Sequence, residues 1–550
     1  MKNFPKGTLT GKTEADFNPL DAEQTLYNKL LYAARRKETK ATVLRDTAGN
    51  PKTSEMNFRT LLVFINILAG KFAAKTKYGE RVGVMMPNVN ATVAVFFALS
   101  RLGRVPAMIP FIIDPQNAEA CCKTAQVDKL ITAEAFLQKA AEQGNTQPND
   151  ICTHLKKAGV EIFYVDRIAK KEVHLFDKLR GLITTHLELW GLHRDMAAAT
   201  DEALVLFTSG SEGLPKGVSL THKNILANHA QCRARMPLNP DKDVLFNALP
   251  NFHCFGLLTA TLLPLFEGIQ VFLHSNPKDA EVIPGYMQES KATLSFATNS
   301  FLEAYAAEVL KEGSIYNKNT VFQNLKYVWA GAEALKEETR LQWQKEFGVE
   351  VLQGYGVTET SPVIAFNDPE NHKPTSVGKL VGGSEYALIP QDGIKDGFEL
   401  YVKGPHVMAG YIHPDDNGLV TLTEDGWHKT GDVVSVDKEG FVFIKGRLSR
   451  FIKVKGEKVP LSVCENIAKN LWPEASHGAG KCITDNKKEI IVLFTTAKQA
   501  TLEELKTEMK RQKIPFRHLP QKIEFLQEIP LLGNGKLDLK GLDKLAKENC

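Results

Sequence analysis

The segment Leu206-Phe-Thr-Ser-Gly-Ser-Glu-Gly-Leu-Pro-Lys-Gly217 joins an apolar strand pattern to a loop rich in glycine and hydroxyl side chains. Glycine lets backbone N–H groups approach an anion closely, while the hydroxyls and the cation of Lys216 add further donors. This composition favours a loop that holds a polyphosphate. It is not a Walker A motif, because Leu-Pro rather than glycine precedes Lys216. By itself, such a loop also fits a plain surface turn.

The chain on both sides of this segment alternates short apolar runs with longer helical patterns. Amphipathic or apolar helices are predicted, for example, over 91–102 and 300–310. Buried strands are predicted over 81–86, 204–207, 269–273, 293–297, 325–329 and 350–352. Strands that alternate with helices are typical of an α/β fold with largely parallel sheets.

The pattern changes toward the C-terminus. Residues 398–402 begin a β-rich region, and beyond Gly446 the chain shows short strands and charged helices. A chain of 550 residues is too long for one compact core. The sequence therefore predicts two domains, 1–446 and 447–550.

Composition is that of an ordinary globular protein, with 43% hydrophobic and 24% charged residues. No apolar run reaches the roughly 20 residues that a membrane-spanning helix needs, although peripheral contact with a membrane stays open. Residues 1–18 lack the apolar core of a signal peptide, and the eight cysteines form no C-x-x-C pair. We therefore expect a cytoplasmic protein with reduced thiols.

Net charge is small, +4, but unevenly distributed along the chain. Residues 447–550 hold 20 Lys and Arg against 13 Asp and Glu, a net of +7, and the remainder carries −3. A basic segment beside an acidic one indicates an anionic partner or merely a solvated face. We do not expect nucleic acid to be that partner.

Four further motifs follow the glycine-rich loop in a fixed order. They are Gln353-Gly-Tyr-Gly-Val-Thr-Glu-Thr360, Gly426-Trp-His-Lys-Thr-Gly-Asp432, Gly446-Arg-Leu-Ser-Arg-Phe-Ile-Lys-Val-Lys-Gly456 and Gly533-Asn-Gly-Lys-Leu-Asp538. From about residue 25 to the C-terminus, the five motifs resemble the adenylate-forming superfamily of acyl-CoA synthetases, luciferases, aryl-CoA ligases and adenylation domains. The resemblance implies a large N-terminal domain of two α/β subdomains plus a β-barrel, followed by a small mobile α+β domain.

The same resemblance implies ATP and Mg²⁺ as cofactors and assigns residues to them. In the family, the loop from Thr208 to Lys216 holds the β- and γ-phosphates. Glu359 resembles the magnesium ligand, together with Thr208, while Thr358 would bond the α-phosphate. The nucleotide-binding candidates are Thr208, Ser209, Gly210, Ser211, Gly213, Lys216, Gly331, Ala332, Glu333, Gly354, Tyr355, Gly356, Asp432, Arg447 and Gly456.

Within that set, the resemblance separates adenine from ribose contacts. Tyr355 would stack on the adenine, and residues 331–333 would form a second loop beside it. Asp432 would accept hydrogen bonds from both ribose hydroxyls, which one carboxylate can do for a cis diol. Arg447 would also reach the ribose.

Catalytic roles fall to Lys536, Thr358, Glu359 and His253. Lys536 matches the adenylation lysine of the family, whose amine bridges two anions as the substrate carboxylate joins the α-phosphate. His253 would border and gate the acyl pocket. Without the other motifs, Lys536 also fits a surface lysine and His253 a hydrogen-bonded core residue.

Finer features of the motifs resemble one branch, the acyl-acyl-carrier-protein synthetase half of a bifunctional 2-acylglycerophosphoethanolamine acyltransferase. These features are Ser-Gly-Ser-Glu-Gly213, residues 248–256 and residues 529–536. They imply ATP-dependent activation of a fatty acid through acyl-AMP and transfer to the thiol of acyl carrier protein. Two alternatives stay open: a long-chain fatty acyl-CoA synthetase and a ligase that stops at acyl-AMP.

Overall fold

The computed structural model describes residues 4–37, 41–48, 54–209, 215–415, 417–454, 457–484, 489–530 and 537–549. The chain divides into two compact units. The large unit comprises Lys12–Glu385 and Lys403–His428, and the small unit comprises Met1–Gly11, Tyr386–Val402 and Lys429–Cys550.

A nine-stranded sheet forms one layer of the large unit, and its six middle strands are parallel. In spatial order the strands are Lys379–Leu380, Val363–Phe366, Glu350–Gly356, Tyr327–Ala330, Leu294–Ala297, Val244–Asn247, Gln270–Leu273, Thr42–Asp46 and Glu55–Asn57. The four central strands, from Tyr327–Ala330 to Gln270–Leu273 in that order, are almost wholly buried. This explains why they appear in the sequence as continuous apolar runs without alternation.

A second sheet of the large unit has eight strands and is parallel on one side and antiparallel on the other. In spatial order the strands are Val420–Leu422, Gly410–Ile412, Pro215–Thr221, Glu202–Ser209, Val105–Met108, Arg81–Val84, Lys129–Thr132 and Glu161–Tyr164. The two sheets confirm the predicted α/β fold. Each of the six buried strands predicted from the sequence overlaps a strand of one sheet or the other.

Helices connect the strands of both sheets in the large unit. The longer ones are Leu26–Arg36, Phe58–Ala73, Asn90–Arg101, Pro115–Thr124, Glu134–Glu142, Gln147–Lys157, Leu175–Leu189, His222–Arg235, Asn299–Leu310 and Glu337–Phe347. The helices predicted over 91–102 and 300–310 are among them. In the described part of the chain, no helix is both long enough and apolar enough to span a membrane.

The small unit contains part of the β-rich region predicted from residue 398 onward, while residues 403–428 belong to the large unit. Five strands form a sheet in the order Leu9–Lys12, Glu385–Pro390, Phe398–Lys403, Trp427–Val436 and Val442–Arg447. Closure of this sheet into the expected β-barrel stays a prediction.

Residues beyond 447 complete the small unit with short strands and three longer helices. The strands are Phe451–Val454, Glu457–Pro460, His477–Ile483, Glu489–Thr495 and Lys522–Phe525, and the helices are Leu461–Leu471, Leu502–Arg511 and Leu539–Glu548. Because residues 386–402 and 429–446 group with this segment, the compact units are not divided at residue 446. A mobile domain that begins at 447 stays a prediction.

The cysteines follow the expectation of reduced thiols in six cases. These are free and buried: Cys121, Cys122, Cys152, Cys232, Cys254 and Cys464. Burial raises the pKa of the Cys122 and Cys232 thiols to about 12, which makes them poor nucleophiles.

Candidate active site

The glycine-rich loop lies at the turn of a β-hairpin in the large unit. Strands Glu202–Ser209 and Pro215–Thr221 pair in antiparallel fashion, with Thr208 opposite Lys216. Ser209 and Pro215 thus flank the turn, and Lys216 lies one residue beyond it. Gly210, Ser211 and Gly213 lie outside the described residues. The hairpin places the hydroxyl-bearing Thr208 and the cation-bearing Lys216 at the same end of the sheet, as a phosphate-binding loop requires.

Tyr411 connects this hairpin to the predicted magnesium ligand. Its hydroxyl donates a hydrogen bond to Oε1 of Glu359 at 2.7 Å. The Nζ atom of Lys216 lies 5.3 Å from the centroid of the same ring, within cation–π range. A carboxylate and a lysine are therefore arranged around one phenol.

The backbone supports the same arrangement. Strand Gly410–Ile412 pairs with the second strand of the hairpin, so that Ile412 lies opposite Gly217. The N–H of Met408 donates to the backbone carbonyl of Glu359 at 2.8 Å. Glu359 is thus held at its carbonyl and at its carboxylate by one short segment.

Thr358 and Glu359 belong to a short 3₁₀ turn, Thr358–Thr360, that follows strand Glu350–Gly356. At Gly356 a Cβ atom would lie 1.9 Å from the carbonyl oxygen of Pro362, so only glycine fits there. Gly354 and Tyr355 precede it in the strand and are partly exposed. The strand and the turn after it therefore place Tyr355, the adenine candidate, and Glu359, the magnesium candidate, within five residues of each other in the chain.

The segment of His253 also reaches this turn. The Sγ atom of Cys254 lies 3.4 Å from Oγ1 of Thr358 and 3.8 Å from Nδ1 of His253. His253 is half-buried, whereas Cys254 is buried. The structure thus brings the predicted gate close to the residue predicted to bond the α-phosphate.

The second predicted adenine loop, residues 331–333, follows strand Tyr327–Ala330. A Cβ atom on Gly331 would lie 3.0 Å from the ring of Phe255, a near neighbour of His253. Glu333 accepts hydrogen bonds from the Ser300 N–H at 3.1 Å and from its hydroxyl at 2.7 Å. That carboxylate stabilises the start of helix Asn299–Leu310. The adenine contact of residues 331–333 stays a prediction; within this loop the φ of Ala332 is +65°.

The two ribose candidates lie together in the small unit. Asp432 and Arg447 face each other on antiparallel strands, and Nε of Arg447 donates to Oδ1 of Asp432 at 3.0 Å. The Asp432 side chain is 4% exposed and the Arg447 side chain 59% exposed. This charge-assisted bond holds the carboxylate in one orientation. Gly456 and Lys536 lie outside the described residues.

Magnesium is compatible with the residues present. In the described ranges, no group of three or more His, Cys, Asp and Glu could hold a metal by itself. Mg²⁺ does not need such a cage, because it keeps several waters and takes further ligands from phosphate oxygens. Glu359, half-buried and oriented by an uncharged phenol, fits as its single protein carboxylate.

Comparison of the sequence with known protein families identifies the family of this chain. The profile of the AMP-binding enzyme family matches residues 31–412. The chain belongs to the AMP-binding enzyme family. A long-chain-fatty-acid–CoA ligase of Salmonella typhimurium is 28% identical, with 84% of each chain covered. A ligase of the same name from Bacillus subtilis is 27% identical over 93% of this chain and 95% of that protein.

Solved structures show the same adenylate-forming fold. O-succinylbenzoate coenzyme A synthetase (MenE) from Bacillus subtilis, in complex with ATP and magnesium ion, has a TM-score of 0.75 and 20% identity. The match covers 94% of this chain and 99% of that one. The ATP and Mg²⁺ expected from the sequence are thus the ligands of a protein with this fold.

Tyr411 is the site residue that sequence reasoning missed. Its hydrogen bond joins positions 52 residues apart, and no spacing rule connects them. The available signal was its place in a strand-like Gly-Tyr-Ile segment within the β-rich region.

Proposed function

We propose that this chain is a long-chain fatty acid ligase that forms acyl-AMP from ATP and passes the acyl group to coenzyme A. The observation that carries the adenylation step is the arrangement of Lys216 and Glu359 around Tyr411 at the end of the phosphate hairpin. Support for the substrate and acceptor comes from two relatives named long-chain-fatty-acid–CoA ligase that match most of this chain.

The residues divide the first half-reaction among them. Thr208 and Lys216 bind the β- and γ-phosphates, and Glu359 holds a magnesium ion that, when bound, offsets the charge of the leaving pyrophosphate. Thr358 donates to the α-phosphate. Asp432 accepts hydrogen bonds from the ribose hydroxyls, and Lys536 neutralises the two anions that join.

Acyl carrier protein is the second candidate acceptor. It is supported by the branch-specific motifs and by the net charge of +7 on residues 447–550. The names of the relatives favour coenzyme A instead.

A direct test gives the purified chain one long-chain fatty acid, ATP and Mg²⁺, with coenzyme A or carrier protein as acceptor. We expect acyl-CoA as the faster product; exclusive acylation of the carrier protein would reverse the assignment, and AMP with no thioester would indicate an acyl-AMP ligase.

Lys536→Ala tests the adenylation step separately. Fatty-acid-dependent exchange of pyrophosphate into ATP should fall at least about a hundredfold, because a positioned charge is lost from the transition state. Thioester formation from supplied acyl-AMP should continue. Lys540→Ala, a nearby lysine outside the motif, is the control. Exchange at the wild-type rate in Lys536→Ala would contradict the role.

A further inference from the structure

Helix Leu175–Leu189 presents an apolar face to solvent. Large hydrophobic side chains lie exposed along it at helical spacing: Leu175, Phe176, Leu179, Leu182, Ile183 and Leu187. Leu175 and Phe176 are 82% and 73% exposed, and Trp190, directly after the helix, is 71% exposed. At 3.6 residues per turn these side chains cover an arc of roughly 140°. We call this surface the outer apolar face.

The opposite face of the same helix is polar or small and is buried against the protein. Asp177 pairs with Lys71 at 2.7 Å, and Oγ1 of Thr185 accepts from the Asn66 amide at 3.0 Å. At Gly181 an added Cβ would lie 2.8 Å from Cγ1 of Ile67. Surface helices normally bury their apolar stripe and expose their polar one. This helix does the reverse.

Glu188 fixes that inverted orientation. Its carboxylate is 2% exposed and accepts hydrogen bonds from Tyr27 at 2.8 Å, Asn66 at 2.7 Å and Arg101 at 2.9 Å. Burial alone would raise the pKa of Glu188, but the bonds from His193 and the charge of Arg101 hold it below its ordinary value. A buried, fully bonded carboxylate cannot be turned to solvent cheaply, so the apolar face stays outward.

The exposed charges on this helix are all basic. Lys178 and Arg180 are exposed and flank the outer apolar face, and Lys170 and Lys171 are exposed just before the helix. Both acidic residues of the helix, Asp177 and Glu188, are engaged on its inner side. The face therefore combines an apolar centre with a cationic rim.

We propose that the outer apolar face docks on the surface of an anionic phospholipid bilayer. An apolar stripe rimmed by lysine and arginine is the pattern of helices that lie in the membrane interface, and tryptophan is enriched at that depth. The basic rim matches anionic headgroups. A second copy of this chain fits less well, because a two-fold interface would bring the same cations together. The docking does not depend on the proposed chemistry.

Vesicle sedimentation tests the proposal. The wild type should bind vesicles of phosphatidylcholine mixed with phosphatidylglycerol and bind pure phosphatidylcholine more weakly. The variant Phe176→Ser/Leu179→Ser/Ile183→Ser should lose at least about tenfold in affinity, since each buried apolar side chain contributes to partitioning. The control Ile315→Ser/Leu341→Ser removes hydrophobic side chains that are 85% and 47% exposed elsewhere on the large unit, and it should bind as the wild type does.

Two further measurements separate the electrostatic contribution to vesicle binding from the insertion of the apolar face. Lys178→Glu/Arg180→Glu should abolish the preference for phosphatidylglycerol and the salt sensitivity of binding. Trp190 emission should shift to the blue on binding, and Trp190→Phe should remove the shift while binding persists. Pyrophosphate exchange with a water-soluble acid should be unchanged in every variant, which shows that the fold is intact.

Equal vesicle binding by the triple-serine variant and the wild type would overturn the proposal. So would a wild type that fails to bind vesicles but sediments as a dimer, with the triple-serine variant monomeric. That second outcome would assign the outer apolar face to a copy of the same chain. Neither outcome would affect the adenylation assignment, which is measured by exchange.

Discussion

The carboxylate of Glu359 accepts its hydrogen bond from an uncharged donor, the Tyr411 hydroxyl. A lysine or arginine partner would neutralise the carboxylate and compete with a metal ion, whereas the Tyr411 hydroxyl orients it and leaves its charge in place. The same ring attracts Lys216 through its face. Tyr411 therefore contacts both the predicted magnesium ligand and the predicted phosphate-binding lysine, and we propose that it positions both.

Tyr411→Phe should raise the Mg²⁺ concentration for half-maximal pyrophosphate exchange by about tenfold, in the lower range for loss of an outer-shell partner of a metal ligand. The ring is kept, so the cation–π contact with Lys216 survives. Tyr316→Phe, which removes a hydroxyl bonded to the Glu281 carbonyl, is the control. A magnesium titration that superimposes on the wild type would exclude the positioning role.

Asp432→Ala should weaken ATP binding by about 2–3 kcal/mol, because charge-assisted hydrogen bonds to the ribose are lost. Arg447 is left without this partner, but its side chain is 59% exposed, so the free energy of unfolding should change little. Calorimetric titration with ATP checks the loss, with the exposed Asp392→Ala as control. Unchanged affinity would place the ribose elsewhere.

Sequence reasoning at this scale reached the residues whose neighbours in the chain define a motif. Thr208, Lys216, Glu359 and Asp432 could be proposed in this way. The Asp432–Arg447 bond could not, because it depends on the register of two antiparallel strands. The bond from Ser300 to Glu333 likewise joins the first turn of a helix to a loop 33 residues away, and it gives that carboxylate a structural role that the motif does not reveal.

At the scale of elements, His222 joins two helices. It is the first residue of helix His222–Arg235, and its Nδ1 accepts the Leu26 N–H at the start of helix Leu26–Arg36, at 3.1 Å. An N–H at a helix start has no partner within its own helix. The bond requires a neutral imidazole. Burial lowers the pKa of His222 to about 4, despite the opposing charges of Asp195 and Asp201.

A pH dependence of stability follows from this bond. The unfolded imidazole, with a pKa near 6.5, binds a proton more readily than the folded one. The contribution is therefore complete above pH ~6.5 and is lost as pH falls toward ~4, by at most about 3 kcal/mol. Chemical unfolding at several pH values should show a shallower acid-side loss in His222→Gln than in the wild type. The exposed His174→Gln should leave the slope unchanged; parallel curves for His222→Gln and the wild type would contradict the assignment.

The positions of helices and strands were predicted better than the question of which face of a helix is buried. Buried parallel strands are recognisable because both faces are apolar, and they were found within a few residues of the predicted positions. The apolar periodicity of helix Leu175–Leu189 is equally visible, but periodicity does not tell which face is buried. The answer lies in Glu188 and its partners Tyr27, Asn66 and Arg101, which are distant in sequence.

At the scale of the whole molecule, the small unit is made of three separate segments of the chain, so no single boundary along the sequence can define it. A change of pattern near Gly446 was evident in the sequence. Strands Trp427–Val436 and Val442–Arg447, however, pair with each other and belong to a sheet that includes Leu9–Lys12. Leu9–Lys12 itself pairs with Glu385–Pro390, more than 370 residues away. Pairing over that distance leaves no compositional signal, so the N-terminal strand could not be assigned to the small unit from the sequence.

Charge on residues 447–550 provides the test that separates the two acceptors. Carrier proteins are acidic and would be steered by a basic face, whereas coenzyme A needs only a local phosphate site. Lys510 and Lys513 are exposed, and Arg511 already pairs with Glu508 at 2.6 Å. Lys510→Glu/Lys513→Glu is therefore the cleaner reversal, because it leaves that ion pair intact.

In this variant, kcat/KM with carrier protein should fall about tenfold at low salt, and the difference should shrink as screening shortens to about 8 Å at physiological ionic strength. With coenzyme A, kcat/KM should stay within about twofold of the wild type, and pyrophosphate exchange should not change. Lys123→Glu/Lys345→Glu, at positions 73% and 83% exposed on the large unit, controls for net charge. Equal losses in both variants would mean that total charge, not this face, governs encounter. If carrier protein reacts with both variants as with the wild type, the basic face serves no acceptor, and coenzyme A remains the acceptor that the relatives support.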